Sequence, residues 1–243
     1  MKSRHSGAVR GPIANGTRNP VALLPRPEES LGPPAFAGMT IVVPFPISAL
    51  SYNNHMANTS TLTGHFLIAM PALGDPNFAR GVTFVCQHGE EGTMGLVVNR
   101  ASEYKLGDVM AQMQMACERD DVATQQVLLG GPVQVERGFV LHAPDERQWD
   151  STFRISDALA VTTSRDILAA MAEGNGPKRA LIALGYAGWG AGQLEQELRE
   201  NAWLTVEANE RILFETALED RWQAAVALVG VDPNQLSDYA GHA

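Results

Sequence analysis

The sequence is poor in the features that announce chemistry. Only Cys86 and Cys117 are cysteines among 243 residues, and they form no CxxC pair, which excludes a disulfide framework or a zinc-ribbon spacing. Reduced thiols packed as small apolar residues are expected, a single Cys86–Cys117 bridge being the alternative. There is no GxxxxGK[ST] loop, no GxSxG elbow and no HExxH helix, so those nucleotide, hydrolase and zinc-protease chemistries are excluded. No apolar run approaches the roughly 20 residues of a membrane helix. The longest candidate, "MTIVVPFPISAL" at 39–50, is broken by Pro44 and Pro46 and lies too far from the N-terminus for an ordinary signal peptide. A cytoplasmic location without membrane association is expected. Basic clusters are missing as well. The net charge is −9, and the first 55 residues hold five of the 18 basic but only two of the 27 acidic side chains. That leaves 13 basic and 25 acidic residues in 56–243, a net of −12, with no cluster longer than Lys178-Arg179. Nucleic-acid binding draws much of its affinity from neutralised phosphates, so direct nucleic-acid binding is not expected.

What is present divides into two regions. Residues 1–55 are rich in Pro, Gly, Ser and Arg without helical or strand periodicity. Such a segment buries too little apolar surface to offset its ordering entropy, and a disordered tail is expected. The string "PAFAGMT" at 34–40 resembles translated non-coding repeat sequence of GC-rich bacterial genomes, so a true start at Met56, or at Met39, is the sharper expectation; a genuine flexible tail is the alternative.

Residues 56–243 read as one domain. Apolar and β-branched runs predict strands at 64–71, 82–88, 93–100, 125–133, 136–143, 157–164, 178–187 and 202–208. Helical spacing predicts helices at about 105–116, 164–173, 190–200 and 215–231, with Ser164 as an N-cap and Gly174 as a stop. Strands predominate early and helices intersperse later, which is an α+β or mixed α/β arrangement. About 188 residues can bury some 70% of their unfolded surface.

Three ordered blocks carry a family resemblance. "TGHFLIAMPALGDPNFARGVTFVCQHGEEGTMGLVVNR" (63–100), "LLGGPVQVERGFVLH" (128–142) and "ALGYAGWGAGQLEQELRENAWL" (183–204) resemble the signature blocks of the YqgE/AlgH family, and the resemblance covers about 60–236. It implies a small bacterial cytoplasmic protein of one α+β domain, with a mixed, partly barrel-like sheet flanked by helices. It also implies a role in transcriptional control, and it brings no established catalytic residues. It supports a start near Met56.

The richest local pattern is "GYAGWGAGQ" at 185–193. A strand, a glycine turn and a helix N-terminus can cradle an anion, because free amides and the helix dipole point at it. Gly185, Gly188, Trp189, Gly190, Gly192 and Gln193 are the candidate ligand-binding residues. Gln193 stands where a dinucleotide fingerprint GxGxxG needs glycine, which makes the signal weak. The preferred reading is that these glycines supply positive φ and let a helix sit close to the sheet, with Trp189 filling the core or covering the corner. In "ALGDPNFAR" (72–80), Asp75, Asn77 and Arg80 could complete such a pocket. The plainer reading is Asx-turn chemistry, and an exposed Phe78 would mark a partner surface. Cys86 and His88 share a strand face, but a zinc site needs further ligands. His65 or His142 would supply them only if the fold brought them close. Asp145, Glu146 and Asp150 around Trp149 read as a solvated loop. "EQELRE" (195–200) reads as the wet face of an amphipathic helix, with Leu194 and Leu198 turned inward. No cofactor and no metal are expected. The expected function is a non-enzymatic regulatory or protein-interaction module with an unidentified protein partner; a small-anion or nucleotide-binding protein is the alternative.

Overall fold

The computed structural model describes residues 61–71 and 73–232. The expected tail over 1–55 and both alternative starts lie outside them. Ten strands form one sheet: β1 His65–Ala69, β2 Val82–Gly89, β3 Gly92–Val97, β4 Ala101–Lys105, β5 Gln126–Leu129, β6 Val133–His142, β7 Thr152–Arg154, β8 Ala160–Thr162, β9 Ala180–Trp189 and β10 Trp203–Glu207. The main path runs β10-β1-β2-β3-β9-β6-β8-β7, and β5 joins β9 while carrying β4. All pairs are antiparallel except β5 with β9. The described helices are α1 Leu106–Gln112, α2 Asp120–Ala123, α3 Arg165–Ala172, α4 Gln193–Arg199, α5 Glu210–Phe214 and α6 Arg221–Leu228, the last preceded by a 3₁₀ turn, Leu218–Asp220. The fold is α+β, one domain whose curled sheet forms part of a barrel.

Burial on both faces explains the unbroken apolar runs. In β1, Phe66 and Ile68 join one core cluster with Phe84, Tyr186 and Trp222, whereas Leu67 and Ala69 join a second with Val85, Trp189 and Trp203. Strands covered on both sides lose the polar alternation of a half-exposed sheet, and each large apolar side chain so buried stabilises by about 1.5–3 kcal/mol. A third cluster packs Leu106, Met110, Ile167 and Leu168 against Val127, Val140 and Ile182.

β9 is the organising strand. One of its edges pairs with β6; the other pairs with β5 over Ile182–Leu184 and with β3 over Ala187–Trp189. The change of partner falls at Gly185, where φ is +70°. There the "GG" of residues 130–131 crosses it backbone on backbone. A Cβ at Gly185 would lie 2.4 Å from Gly131 O, and one at Gly131 would lie 2.2 Å from Tyr186 C. Gly130 N–H donates to Leu184 O at 2.8 Å, and Gly130 O accepts from Val97 N at 2.8 Å, so this crossing ties β9, β5 and β3 together.

Several boundaries differ from expectation for identifiable reasons. The helix expected at 105–116 ends at Gln112, because Gln114 adopts φ +58°. The helix expected from 190 begins at Gln193, because Gly192 holds φ +74°. The segment expected as one helix over 215–231 is helical only from Arg221, after the 3₁₀ turn. A separate helix, α5, forms ahead of it, where Asn209 accepts Arg211 N–H at 2.9 Å and so caps its start. β4, "ASEYK", and β7, "TFR", gave no apolar alternation and were not expected as strands.

Candidate functional site

At the end of β9 the glycine corner is filled by its own side chains. Gly190 N–H donates to Gln193 Oε1 at 2.9 Å, and Gln193 N–H donates back to Gly190 O at 3.1 Å. Gln193 Nε2 then donates to Glu197 Oε1 at 3.0 Å. The other oxygen, Glu197 Oε2, accepts both the Trp189 indole N–H at 3.0 Å and the Trp203 indole N–H at 2.8 Å. Glu197 is 7% exposed and forms no ion pair with a described residue. This corrects the reading of the charges at 195–200 as the wet face of the helix, since Glu197 is buried. Leu194, Glu197 and Leu198 lie three and four residues apart, so the carboxylate shares the inward face. Burial is tolerated because three N–H donors take up its lone pairs.

The "ALGDPNF" loop reaches this corner through its aromatic ring. Phe78 is buried, with its centroid 6.0 Å from Trp189 and 5.4 Å from Trp203, and the two indoles are 5.8 Å apart and near-perpendicular. Edge-to-face contacts of this kind add to the burial of the rings themselves. The loop's polar residues have other partners. Asp75 Oδ1 accepts Asn77 N–H at 2.8 Å, as in an Asx-turn. Arg80 lies 5.2 Å over the Trp222 ring, which belongs to the other core cluster. Gly188 is a ladder residue opposite Met94.

Of the histidines and cysteine named from sequence, His65 and His88 lie near each other, close enough for His65 to add to burial in lowering the His88 pKa, and His65 Nδ1 is 3.3 Å from Thr63 O. Cys86 is buried beside a register shift in β2, and its thiol titrates far above the usual range because of burial. His88 Nδ1 meets Thr93 Oγ1 at 2.8 Å, while Nε2 lies 3.5 Å from a Glu195 oxygen. Burial lowers the His88 pKa against the opposing pull of Glu195. His142 is 2% exposed. Its Nδ1–H donates to Ala143 O at 3.1 Å, which leaves Nε2 to accept from Thr162 Oγ1 at 2.9 Å. Burial lowers its pKa too. Among the described residues no group of three or more His, Cys, Asp and Glu side chains is placed to hold a metal ion.

A cleft of about 490 Å³ opens beside the first half of β9, where Ile182 and Leu184 form part of its wall. Tyr104 (36% exposed), Leu129 (46%) and Val135 (58%) line it. Leu228 (42%) is the remaining exposed large apolar side chain among the described residues, and it lies elsewhere. A bulge builds the rim. Between the pairs Val133–Tyr186 and Gly138–Leu184, β6 advances five residues while β9 advances two. Gln134 takes φ +47°, and Val135 is carried outward over Gly185, where a side chain would come within 3.2 Å of its Cα. On the far side, Arg165 Nη2 donates to Met113 O at 2.6 Å, joining α3 to the end of α1. The rim residues escaped the sequence reading because β4 has no apolar pattern and a bulge cannot be placed without its partner strand. The polar content is low, and the arrangement suits contact with an apolar group.

The sequence model of a family described as AlgH-like matches residues 66–234. A UPF0301 protein of Xanthomonas euvesicatoria pv. vesicatoria is 57% identical over 182 residues, 75% of this chain and 96% of that protein. A UPF0301 protein of Xanthomonas axonopodis pv. citri is 56% identical over the same length. The solution structure of the AlgH protein from Pseudomonas aeruginosa is similar, with a TM-score of 0.64 and 47% identity, covering 78% of this chain and all of that one. A Corynebacterium diphtheriae protein shares the fold at a TM-score of 0.57 and 21% identity, over 77% of this chain and 95% of its own. No described helix is long and apolar enough to cross a membrane.

Proposed function

The chain belongs to the AlgH-like family, and from that premise we propose that it is a non-enzymatic regulatory module that docks another protein on the Tyr104–Leu129–Val135 cleft. The observation that carries this reading is the concentration of three of the four exposed large apolar side chains of the described residues in one cleft. Clustered apolar exposure marks interaction surfaces, whereas scattered exposure is ordinary. A β-bulge at the rim fits the same reading, since bulges re-aim side chains at functional edges. The partner is a basic protein that presents an apolar side chain, because the chain as a whole carries a net charge of −9 and would steer a basic protein toward it, while the cleft itself is lined mainly by apolar side chains with one acidic and one basic residue, Glu136 and Arg165. Any effect on transcription is then indirect, exerted through that partner in the cytoplasm.

The test compares the full chain carrying Val135→Glu with the full chain carrying Leu228→Glu, each used to retrieve crosslinked partners from cells. One and the same basic partner should be held by the wild type and by Leu228→Glu and released by Val135→Glu, with melting temperatures unchanged. Retention by Val135→Glu would overturn the cleft. Tight, sequence-specific DNA binding by the purified chain at physiological salt would overturn the indirect role.

A further inference from the structure

Arg221, the first residue of α6, is 5% exposed. Its Nε donates to Thr216 O at 3.0 Å and its Nη1 to Val98 O. Two neutral carbonyls hold the guanidinium, and neither supplies a counter-charge. Nη2 donates to no described group. The ion pairs among the described residues are His88–Glu195, Arg119–Asp121 and Arg179–Glu210, so no described carboxylate pairs with Arg221. The adjacent Glu219 and Asp220 point into solvent as exposed residues. A helix N-terminus disfavours a cation, and a buried charge without a counter-charge is costly. Burial alone pulls the Arg221 pKa down to about 10.

Arg221 also lines a cavity of about 260 Å³ with Gln125, Met171, Lys178, Leu181 and Leu218 among its walls. A second cavity of about 240 Å³ shares Gln125, Met171 and Lys178 with it and adds Arg119 and Asp121. The two form one groove. Asp121, the sole acidic residue lining it, is taken by Arg119 through N–H bonds of 3.0 and 2.7 Å. On an acidic chain, Arg221 and Lys178 thus leave a local surplus of positive charge beside apolar walls.

We propose that this groove binds a small monocarboxylate, its head held by the open Nη2 edge of Arg221 and by Lys178, its short apolar body against Met171, Leu181 and Leu218. Guanidinium–carboxylate pairing in a desolvated pocket is the strong form of this contact. The site is independent of the Tyr104–Leu129–Val135 cleft, and neither proposal needs the other.

The test is a nitrogen-edited NMR titration of the full chain with hexanoate, with neutral hexanamide and with inorganic phosphate, at constant ionic strength. Hexanoate should shift the Arg221 Nε–H signal and the Gln125 and Lys178 amides saturably. Hexanamide should leave them in place, and phosphate should bind more weakly than hexanoate. Lys178 is exposed, so Lys178→Glu should fold normally and weaken hexanoate by about tenfold or more. Arg221→Gln should abolish the shifts, and Lys178→Glu keeps the test decisive if that variant does not fold. No saturable shift, equal shifts with hexanamide, or undiminished binding by Lys178→Glu would overturn the proposal. Preference for phosphate would overturn the carboxylate assignment. Displacement of the signals of residues 233–243 by hexanoate would make the chain's own C-terminus the occupant and overturn an external ligand.

Discussion

The two halves of β9 have opposite fates. Beyond Gly185, the strand runs into a corner where Trp189, Trp203 and Phe78 interlock and Glu197 takes both indole N–H groups. Before Gly185, Ile182 and Leu184 face a cleft whose rim leaves Leu129 and Val135 half in water. One strand therefore ends in a sealed core and begins beside an open surface. The difference comes from what lies alongside each half. The sealed half has a helix, α4, whose Gln193 and Glu197 take up the Gly190 N–H and both indole N–H groups. The open half has a bulge that pushes apolar side chains outward. Glycine abundance is a property of the sealed half and its pivot, where Gly185 marks close backbone approach and Gly192 a positive φ; the exposed apolar side chains belong to the half with none.

The comparison can be broken most severely at its pivot. Gly131→Ala puts a Cβ 2.2 Å from Tyr186 C at a φ of +151°; overpacking and backbone strain together should cost about 3–4 kcal/mol, read as a lower urea midpoint. Gly192→Ala, at φ +74° with nothing within 4 Å, should cost only about 1 kcal/mol. Equal losses at both positions would mean that the crossing at 130–131 is not tight.

Within the sealed half, Glu197→Ala removes the one acceptor shared by two buried indoles. About 3 kcal/mol should be lost, with a red shift of tryptophan emission, whereas Glu197→Gln, which keeps one acceptor oxygen, should lose roughly 1 kcal/mol. A Glu197→Ala chain as stable as wild type would show that the corner is held by ring packing alone.

A smaller effect concerns His142, whose pKa lies below the ordinary histidine value of 6.5. The unfolded chain then binds more protons between 6.5 and the lower folded value, so stability rises with pH across that window. It is complete above about 6.5 and is lost as pH falls toward the folded pKa. The melting temperature should drop from pH 7 to pH 5.5, and His142→Gln should flatten that drop.

In the open half, Leu129→Glu should change stability by less than about 0.5 kcal/mol while removing partner binding. A large loss of stability would move Leu129 from surface to core and remove the distinction between the halves.

Much of the architecture could be read along the chain, because burial on both faces writes a strand such as "HFLIA" as a continuous apolar run and Ser164 with Gly174 brackets α3. The family could be read as well, since its three blocks are local strings. The sealing of the corner was only half legible. Trp189 could be read as core or as a cover for the corner, but Glu197 looked like one more charge in "EQELRE". Its burial depends on two indoles, one on each of two strands, arriving at the same carboxylate. Arg221 was silent for the same reason, since its burial depends on carbonyls at Thr216 and at the distant Val98.

The sequence by itself determined most of the strands and helices, the acidic character and the family, because these rest on residue type and short-range periodicity. Only the tertiary structure decided that β9 changes partner at Gly185, that a bulge in β6 turns Val135 outward, and that Arg221 is buried with no ion pair among the described residues. Each of those depends on segments far apart in the chain meeting at one place, and no local pattern records which ones meet.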